Sequence, residues 1–165
     1  MGNFSRRAFV VGIGASASGA IGIRHALGQV QQYGPAVNLE QARKAIAAGQ
    51  AEARKSNWPV AIAVVDNHGA LVALEKMDDT QIASIQIAID KAVTSATYRR
   101  PTKALQDAIA GGGAGLRALT LRGASAVEGG IPIVVGGKVI GAVGVSGVTA
   151  DQDGMVAKAA ASAVT

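Results

Sequence analysis

Apolar positions follow two different periods along the chain, and each period predicts its own kind of element. Four uncharged runs of strand length form two pairs, each pair separated by turn residues. They are Val60–Val65 with Leu71–Leu74, and Ile131–Val135 with Val139–Ser146. This arrangement predicts two β-hairpins. The first strand of the first hairpin is predicted to be covered on both faces of the sheet.

Helical spacing of apolar residues predicts four helices over residues 39–55, 81–98, 102–110 and 150–163. Asn38 precedes the first helix as an N-cap, with Gln41 completing a capping box. The second helix has the clearest period, with one predicted buried face: Ile82, Ile85, Ile89, Ala92, Val93 and Ala96. Pro101 separates the second helix from the third. Residues 116–127 fit neither period.

The predicted order is therefore α-β-β-α-α-β-β-α. Two hairpins separated by helices indicate an α+β fold, in which helices pack on an antiparallel sheet. Gly141, Gly144 and Gly147 interrupt the last strand, which is typical of a close approach by a helix, a second subunit or a ligand.

The first 28 residues have the pattern of an export signal. Ser5, Arg6, Arg7 and Phe9 resemble the twin-arginine motif, an uncharged stretch follows from Ala8 to Ile23, and Ala26-Leu27-Gly28 is a small-x-small cleavage site. The uncharged stretch is too short and too rich in glycine and serine for a comfortable membrane span. We therefore predict a signal at 1–28, a linker at 29–37 and one domain at 38–165. The mature protein is then periplasmic or extracellular, with no stable membrane span after processing.

Composition and charge exclude several function classes. The 165 residues contain no cysteine, which excludes a disulfide scaffold and a thiolate metal site. The formal charge is +5, but removal of the predicted signal takes away three arginines and leaves an excess of only two basic residues. The basic residues occur in pairs rather than clusters, and the chain has few aromatic residues for stacking bases, so nucleic-acid binding is not expected.

Few residues form a recognisable catalytic pattern. His68 lies in a predicted hairpin turn, and Glu75, Asp78 and Asp79 lack the further ligands of a hard-cation site. Gly111–Gly113 lacks the Lys-Ser/Thr ending of a phosphate-binding loop and is interpreted as a flexible connection. No nucleophile and base form a visible pair, so the sequence does not require turnover.

Four motifs in order carry a family resemblance. They are Pro59–Asp66 with Gly69-x-Leu71-Val72, Lys91-Ala92 with Arg100-Pro101-Thr102, Gly129–Ile133, and Ile140–Gly147. Together they resemble the GlcG and HbpS family of haem-binding proteins over residues 38–164. The resemblance implies a profilin-like sheet packed with helices, and binding of haem or another tetrapyrrole. It also implies homo-oligomers, octamers in exported members, and a role in iron handling or redox sensing beside a membrane sensor protein.

The resemblance also implies the binding residues. Thr102 matches a threonine that ligates haem iron in an exported member, although Thr102 also suits a helix N-cap. A neutral hydroxyl would hold the iron loosely, as exchange or sensing requires. Arg100 and Lys91 would pair with the haem propionates, while Met77, Ile131 and Pro132 would line the ring.

Two other function classes stay open at this stage. One is an enzyme for a small oxygenated metabolite, with Asp66, Lys91 or Arg100 in a pocket between sheet and helix. The other is a non-catalytic module that binds a protein partner. The shortage of histidine, cysteine and aromatic residues favours weak, exchangeable ligand binding over catalysis.

Overall fold

The computed structural model describes residues 31–165, so the predicted signal at 1–28 lies outside the described residues. The elements within this part are β1 (Gln32–Tyr33), α1 (Leu39–Arg54), β2 (Ala61–Asp66), β3 (Leu71–Lys76), α2 (Ser84–Tyr98), α3 (Thr102–Ala110), a 3₁₀ helix (Gly113–Thr120), β4 (Gly130–Val135), β5 (Lys138–Ser146) and α4 (Ala150–Ser162). The predicted α+β class is confirmed. The periodicity did not predict β1 or the 3₁₀ helix.

The sheet is built around β5, which is antiparallel to β4 on one side and to β2 on the other. β3 pairs with β2 at the edge, and the short β1 runs parallel to the start of β5. Residues 61–65 of β2 are completely buried, because helices cover both faces of the sheet. This confirms that the first hairpin strand is covered on both sides.

On one face of the sheet, α1 and α4 pack against valine and isoleucine side chains of β2 and β5. The predicted capping box begins α1: the backbone N–H of Gln41 donates to Asn38 Oδ1 at 2.8 Å, and that of Asn38 donates to Gln41 Oε1 at 3.0 Å. These bonds satisfy two donors of the first turn, which would otherwise have no partner.

On the other face, α2 contacts the sheet through alanine rather than isoleucine. Ala88, Ala92 and Ala96 are completely buried against the alanines of β2. Ile82 was predicted on this buried face, but α2 begins only at Ser84 and Ile82 is 89% exposed. The small side chains on both surfaces allow the helix to approach the sheet closely at these positions.

Residues 31–37, within the predicted linker, contact the end of α2. Tyr33 Oη donates to the carbonyl oxygens of Ala96 and Thr97, both at 3.0 Å. The Arg99 guanidinium lies 5.2 Å from the centre of the Tyr33 ring and donates to the Gln31 carbonyl at 2.8 Å. These contacts position the chain entering the domain beside the carboxyl end of α2.

Candidate functional site

A cleft of about 470 Å³ lies between the carboxyl end of α2, α3 and the 3₁₀ helix. This volume falls within the range of small-molecule sites. We call it the arginine cleft. Its lining residues are Tyr98, Arg100, Ala104, Leu105, Ala108, Ala114, Gly115, Arg117, Ala118, Thr120 and Leu121.

Local backbone geometry creates the cleft. Arg99 caps the carboxyl end of α2 with a left-handed φ of 51°, and Pro101 then separates α2 from α3. Gly112 and Gly113 have φ values of 66° and 53°, which glycine adopts without strain, and they return the chain toward α3. The 3₁₀ helix that follows packs on α3 and forms the opposite wall of the cleft.

The cleft combines an apolar floor with a cationic rim. Leu105 and Ala118 are buried, whereas Arg100 and Arg117 are exposed. Arg100 Nε donates to the Tyr98 carbonyl oxygen at 3.1 Å, which holds this guanidinium beside the cleft. No ion pair between residues 31 and 165 involves Arg100 or Arg117. Both cations therefore remain available to an anionic ligand.

The nearby Lys103 is already paired. Its ammonium lies 2.9 Å from Asp107 Oδ1 and 3.6 Å from Glu128 Oε2. The hydrogen bond with Asp107 raises the pKa of Lys103 above its ordinary value. The positive charge that is available to a ligand at this end of α3 therefore comes from arginine rather than from lysine.

The structure gives Thr102 a different position from either predicted role. Thr102 is the first residue of α3 rather than its N-cap, which is Pro101. Its side chain is completely buried, and Oγ1 accepts a hydrogen bond of 2.9 Å from the backbone N–H of Gly130. The hydroxyl thereby connects α3 to β4. In this arrangement Oγ1 is enclosed by protein and is not presented to the arginine cleft.

Lys91 is also internal. Its side chain is 2% exposed, and Nζ donates to Asp153 Oδ2 at 2.8 Å and to the Val145 carbonyl oxygen at 2.9 Å. Burial raises the pKa of Asp153, and the hydrogen bond and charge of Lys91 offset part of that increase. The predicted pairing of Lys91 with haem propionates does not match this geometry, because its ammonium already has buried partners. Lys91 instead joins α2, β5 and α4.

The residue that precedes β4, beside this ion pair, has to be small. A Cβ on Gly129 would lie 2.6 Å from the Val145 carbonyl oxygen and 2.8 Å from Lys91 Nζ, and its φ of 125° is strained for other residues. The Gly-Gly-Ile-Pro motif is therefore explained by close packing at this point.

The other predicted haem contacts lie in separate cavities. Met77 lines a cavity of about 350 Å³ together with Trp58 and Arg54. Ile131 and Pro132 line another of about 530 Å³, beside the end of α4. Of the six predicted binding residues, only Arg100 lines the arginine cleft, so a single chain does not bring the predicted set together.

The remaining candidates have structural roles. Asp66 Oδ1 accepts from the backbone N–H groups of His68 and Ala70, at 2.8 and 2.9 Å, and so stabilises the β2–β3 turn. His68 itself is exposed. Between residues 31 and 165, no three acidic or histidine side chains form a metal-ion site, and no helix has the length and apolarity to cross a membrane.

Sequence reasoning did not identify Tyr98, Leu105 or Arg117 as site residues. Tyr98 and Leu105 lie on predicted helices, where apolar spacing indicates only a buried face. Arg117 lies in the stretch that fits neither period. The sequence signal that could have located the cleft is the series of helix-breaking residues between Arg99 and Gly113. Such residues predict that the chain turns back here and encloses a cleft.

Comparison with known proteins gives one consistent result. Residues 37–162 match the family described as haem degrading protein HbpS-like. The chain is 46% identical to the protein GlcG of Escherichia coli K12 over 110 residues, which cover 67% of this chain and 81% of GlcG. Its fold is similar to a double mutant of Streptomyces reticuli HbpS, with a TM-score of 0.73, 26% identity, and coverage of 98% of this chain and 99% of that chain. It is also similar to a PduOC–heme complex, with a TM-score of 0.70, 26% identity, and coverage of 79% and 96%.

Proposed function

Because this chain belongs to the HbpS-like family of haem degrading proteins, we propose that it binds haem, and that it does so in the arginine cleft. We place the haem site in this cleft because the cleft has an apolar floor and, at its rim, two arginines that form no ion pair among the described residues. Haem is a flat apolar ring with two carboxylates at one edge. Alanine and leucine side chains suit the ring, and arginine suits the carboxylates.

The residues of the cleft also limit the kind of haem site. The chain has no cysteine, and His68, the one histidine among residues 31–165, is in the β2–β3 turn. A haem without a histidine or cysteine ligand suits storage, transfer or sensing of haem more than electron transfer. We propose iron handling or redox sensing as the role.

Hemin titration with arginine variants tests this location. We expect Arg100→Ala and Arg117→Ala each to raise the Kd for hemin about fivefold, because each removes an exposed charge-assisted contact of about 1 kcal/mol. The measurement is the change in Soret absorbance on titrating purified protein with hemin. A constant Soret band over hours, compared with hemin alone, separates binding from degradation.

Arg43→Ala provides the matched control. Arg43 is an exposed arginine of α1 and lines none of the three cavities described above. We expect the Kd for hemin to stay within about twofold of wild type in this variant, because the charge lies outside the arginine cleft. Equal weakening by all three substitutions would contradict the location, and no Soret shift with wild-type protein would contradict haem binding.

We propose that the functional form is a homo-oligomer, an octamer as in exported members of the family, with a membrane sensor protein as partner. Met77, Ile131 and Pro132 lie outside the arginine cleft, and subunit contacts would be needed to place them beside the same ligand. Exposed Leu116 and Leu119 on the 3₁₀ helix offer apolar surface for such contacts. Light scattering on the hemin-titrated samples gives the mass of the complex.

We propose export through the twin-arginine route, supported by the motif at Ser5–Phe9. Lysine keeps the charge of arginine but not its planar geometry, so we expect Arg6→Lys with Arg7→Lys to retain the protein in the cytoplasm. Cell fractionation and immunoblotting measure the distribution. Arg43→Lys, in α1, is the control and should be exported like the wild type. Export of the double variant at the wild-type level would overturn the proposed route.

A further inference from the structure

The arginine cleft contains one side chain of a type that ligates haem iron in proteins. These types are histidine, cysteine, methionine and tyrosine. Among the residues that line the cleft, only Tyr98 belongs to this set. Thr120 also lines the cleft, but a threonine hydroxyl is not one of these ligand types.

We propose that Tyr98, rather than Thr102, supplies the oxygen ligand to ferric haem iron in this protein. The proposal rests on the proposed haem function and names the residue that contacts the iron. Tyr98 is the last residue of α2 and is half-buried in the wall of the cleft. Thr102 is completely buried, and its oxygen accepts the Gly130 N–H.

Tyr98 shares the arginine cleft with both rim arginines. The Arg100 guanidinium is held beside Tyr98 by the hydrogen bond from Nε to the Tyr98 carbonyl, and Arg117 lines the same cleft. Catalase uses the same ligand type, a tyrosine oxygen on haem iron.

Ligation would release the phenol from its present contact. Tyr98 Oη donates to the Arg122 carbonyl oxygen at 2.8 Å. When Oη binds ferric iron, the iron–oxygen bond replaces a bound water or hydroxide, and the phenol proton passes to solvent. Arg122 is exposed, so its carbonyl oxygen can then accept from water, and this exchange costs little.

Comparison of hemin with metal-free protoporphyrin IX separates the ligand from the cleft. Tyr98→Phe keeps the ring, so we expect the protoporphyrin Kd to stay within about twofold while the hemin Kd rises about tenfold or more. Tyr33→Phe is the matched control, because Tyr33 Oη bonds to Ala96 and Thr97 outside the cleft. That variant should bind both compounds like the wild type.

Resonance Raman spectroscopy tests the same ligand without altering Tyr98. The chain contains two tyrosines, so in Tyr33→Phe the only tyrosine is Tyr98. With ring-deuterated tyrosine incorporated into this variant, the hemin complex should show phenolate bands that shift on labelling. This measurement remains informative even if Tyr98→Phe folds poorly.

The outcomes distinguish the two proposals. Binding of hemin without a label-sensitive phenolate band, with an unchanged hemin Kd in Tyr98→Phe, would overturn the role of Tyr98 and leave haem binding intact. Loss of iron ligation in Thr102→Val, with the fold and protoporphyrin binding retained, would also overturn it. Failure of wild-type protein to bind hemin would overturn both proposals.

Discussion

Replacing Lys91 with methionine is expected to lower the free energy of unfolding by about 3–5 kcal/mol, because it leaves a buried carboxylate without its cation. Asp153 is 3% exposed in its side chain, and its remaining hydrogen bond comes from the Val148 N–H at 3.2 Å. Methionine fills similar volume, so the loss comes from charge rather than from a cavity. Urea unfolding followed by circular dichroism measures the change.

Two comparison variants isolate the ion pair. Lys103→Met removes an ammonium from an exposed, solvent-screened pair with Asp107 and should unfold at a urea concentration close to that of the wild type. Lys91→Met combined with Asp153→Leu removes both buried charges and should recover part of the loss of the single variant. If Lys91→Met unfolds at the wild-type urea concentration, the ion pair does not stabilise the fold.

The stability deficit of Lys91→Met should also depend on pH. Burial raises the pKa of Asp153, and Lys91 opposes that effect, so removing Lys91 raises the pKa further. A carboxyl whose pKa is higher in the folded state loses stability as the pH rises from its unfolded value, about 4, through its folded value. The deficit relative to wild type should therefore be smaller near pH 4 than at pH 7, in urea titrations at both values.

Alanine at Gly144 is expected to lower the free energy of unfolding by about 3 kcal/mol or more, because the added methyl group has no space. Gly144 lies in β5 where α2 crosses it. A Cβ at this position would collide with the Ala88 carbonyl oxygen and lie 2.5 Å from the Ala92 backbone nitrogen. These are backbone atoms of α2, so relief requires moving the whole helix.

Gly111→Ala is the control for this prediction. Gly111 has a φ of −72°, and the nearest atom to an added Cβ is the Asp107 carbonyl oxygen at 3.4 Å. Its free energy of unfolding should change by less than about 0.5 kcal/mol. The thermal unfolding midpoints of the two variants provide the comparison, and equal midpoints would show that α2 has freedom to move away from β5.

The local pattern of apolar and polar residues was sufficient to predict most helices and strands, because each of these two kinds of element has its own period. The capping residue Asn38, the proline at 101 and the glycine turn at 136–137 mark boundaries that the structure reproduces closely. For α2, periodicity correctly placed Ala92 and Ala96 on the buried face but also placed Ile82 there, which is exposed before the helix begins. Hydrophobicity alone ranks isoleucine above alanine, but the distance between helix and sheet selects the smaller residue.

The candidate site was much less predictable. Lys91 and Thr102 fall within motifs that resemble a haem-binding family, which implied contact with a ligand. Their partners, Asp153 and Gly130, lie 62 and 28 residues away. Burial and pairing of this kind depend on contacts between distant elements, and the chain order does not reveal them.

By itself, the sequence determined the α+β class, the order of the hairpins and helices, and the resemblance to a haem-binding family, because hydrophobic period, turn residues and motifs are local properties. The tertiary structure decided which charged groups face the interior and which face the arginine cleft. That decision requires the packing of α2 on β5 and the return of the chain at Gly112 and Gly113. Arg100 and Lys91 have the same formal charge, but only their positions in the fold make one a rim cation and the other half of a buried ion pair.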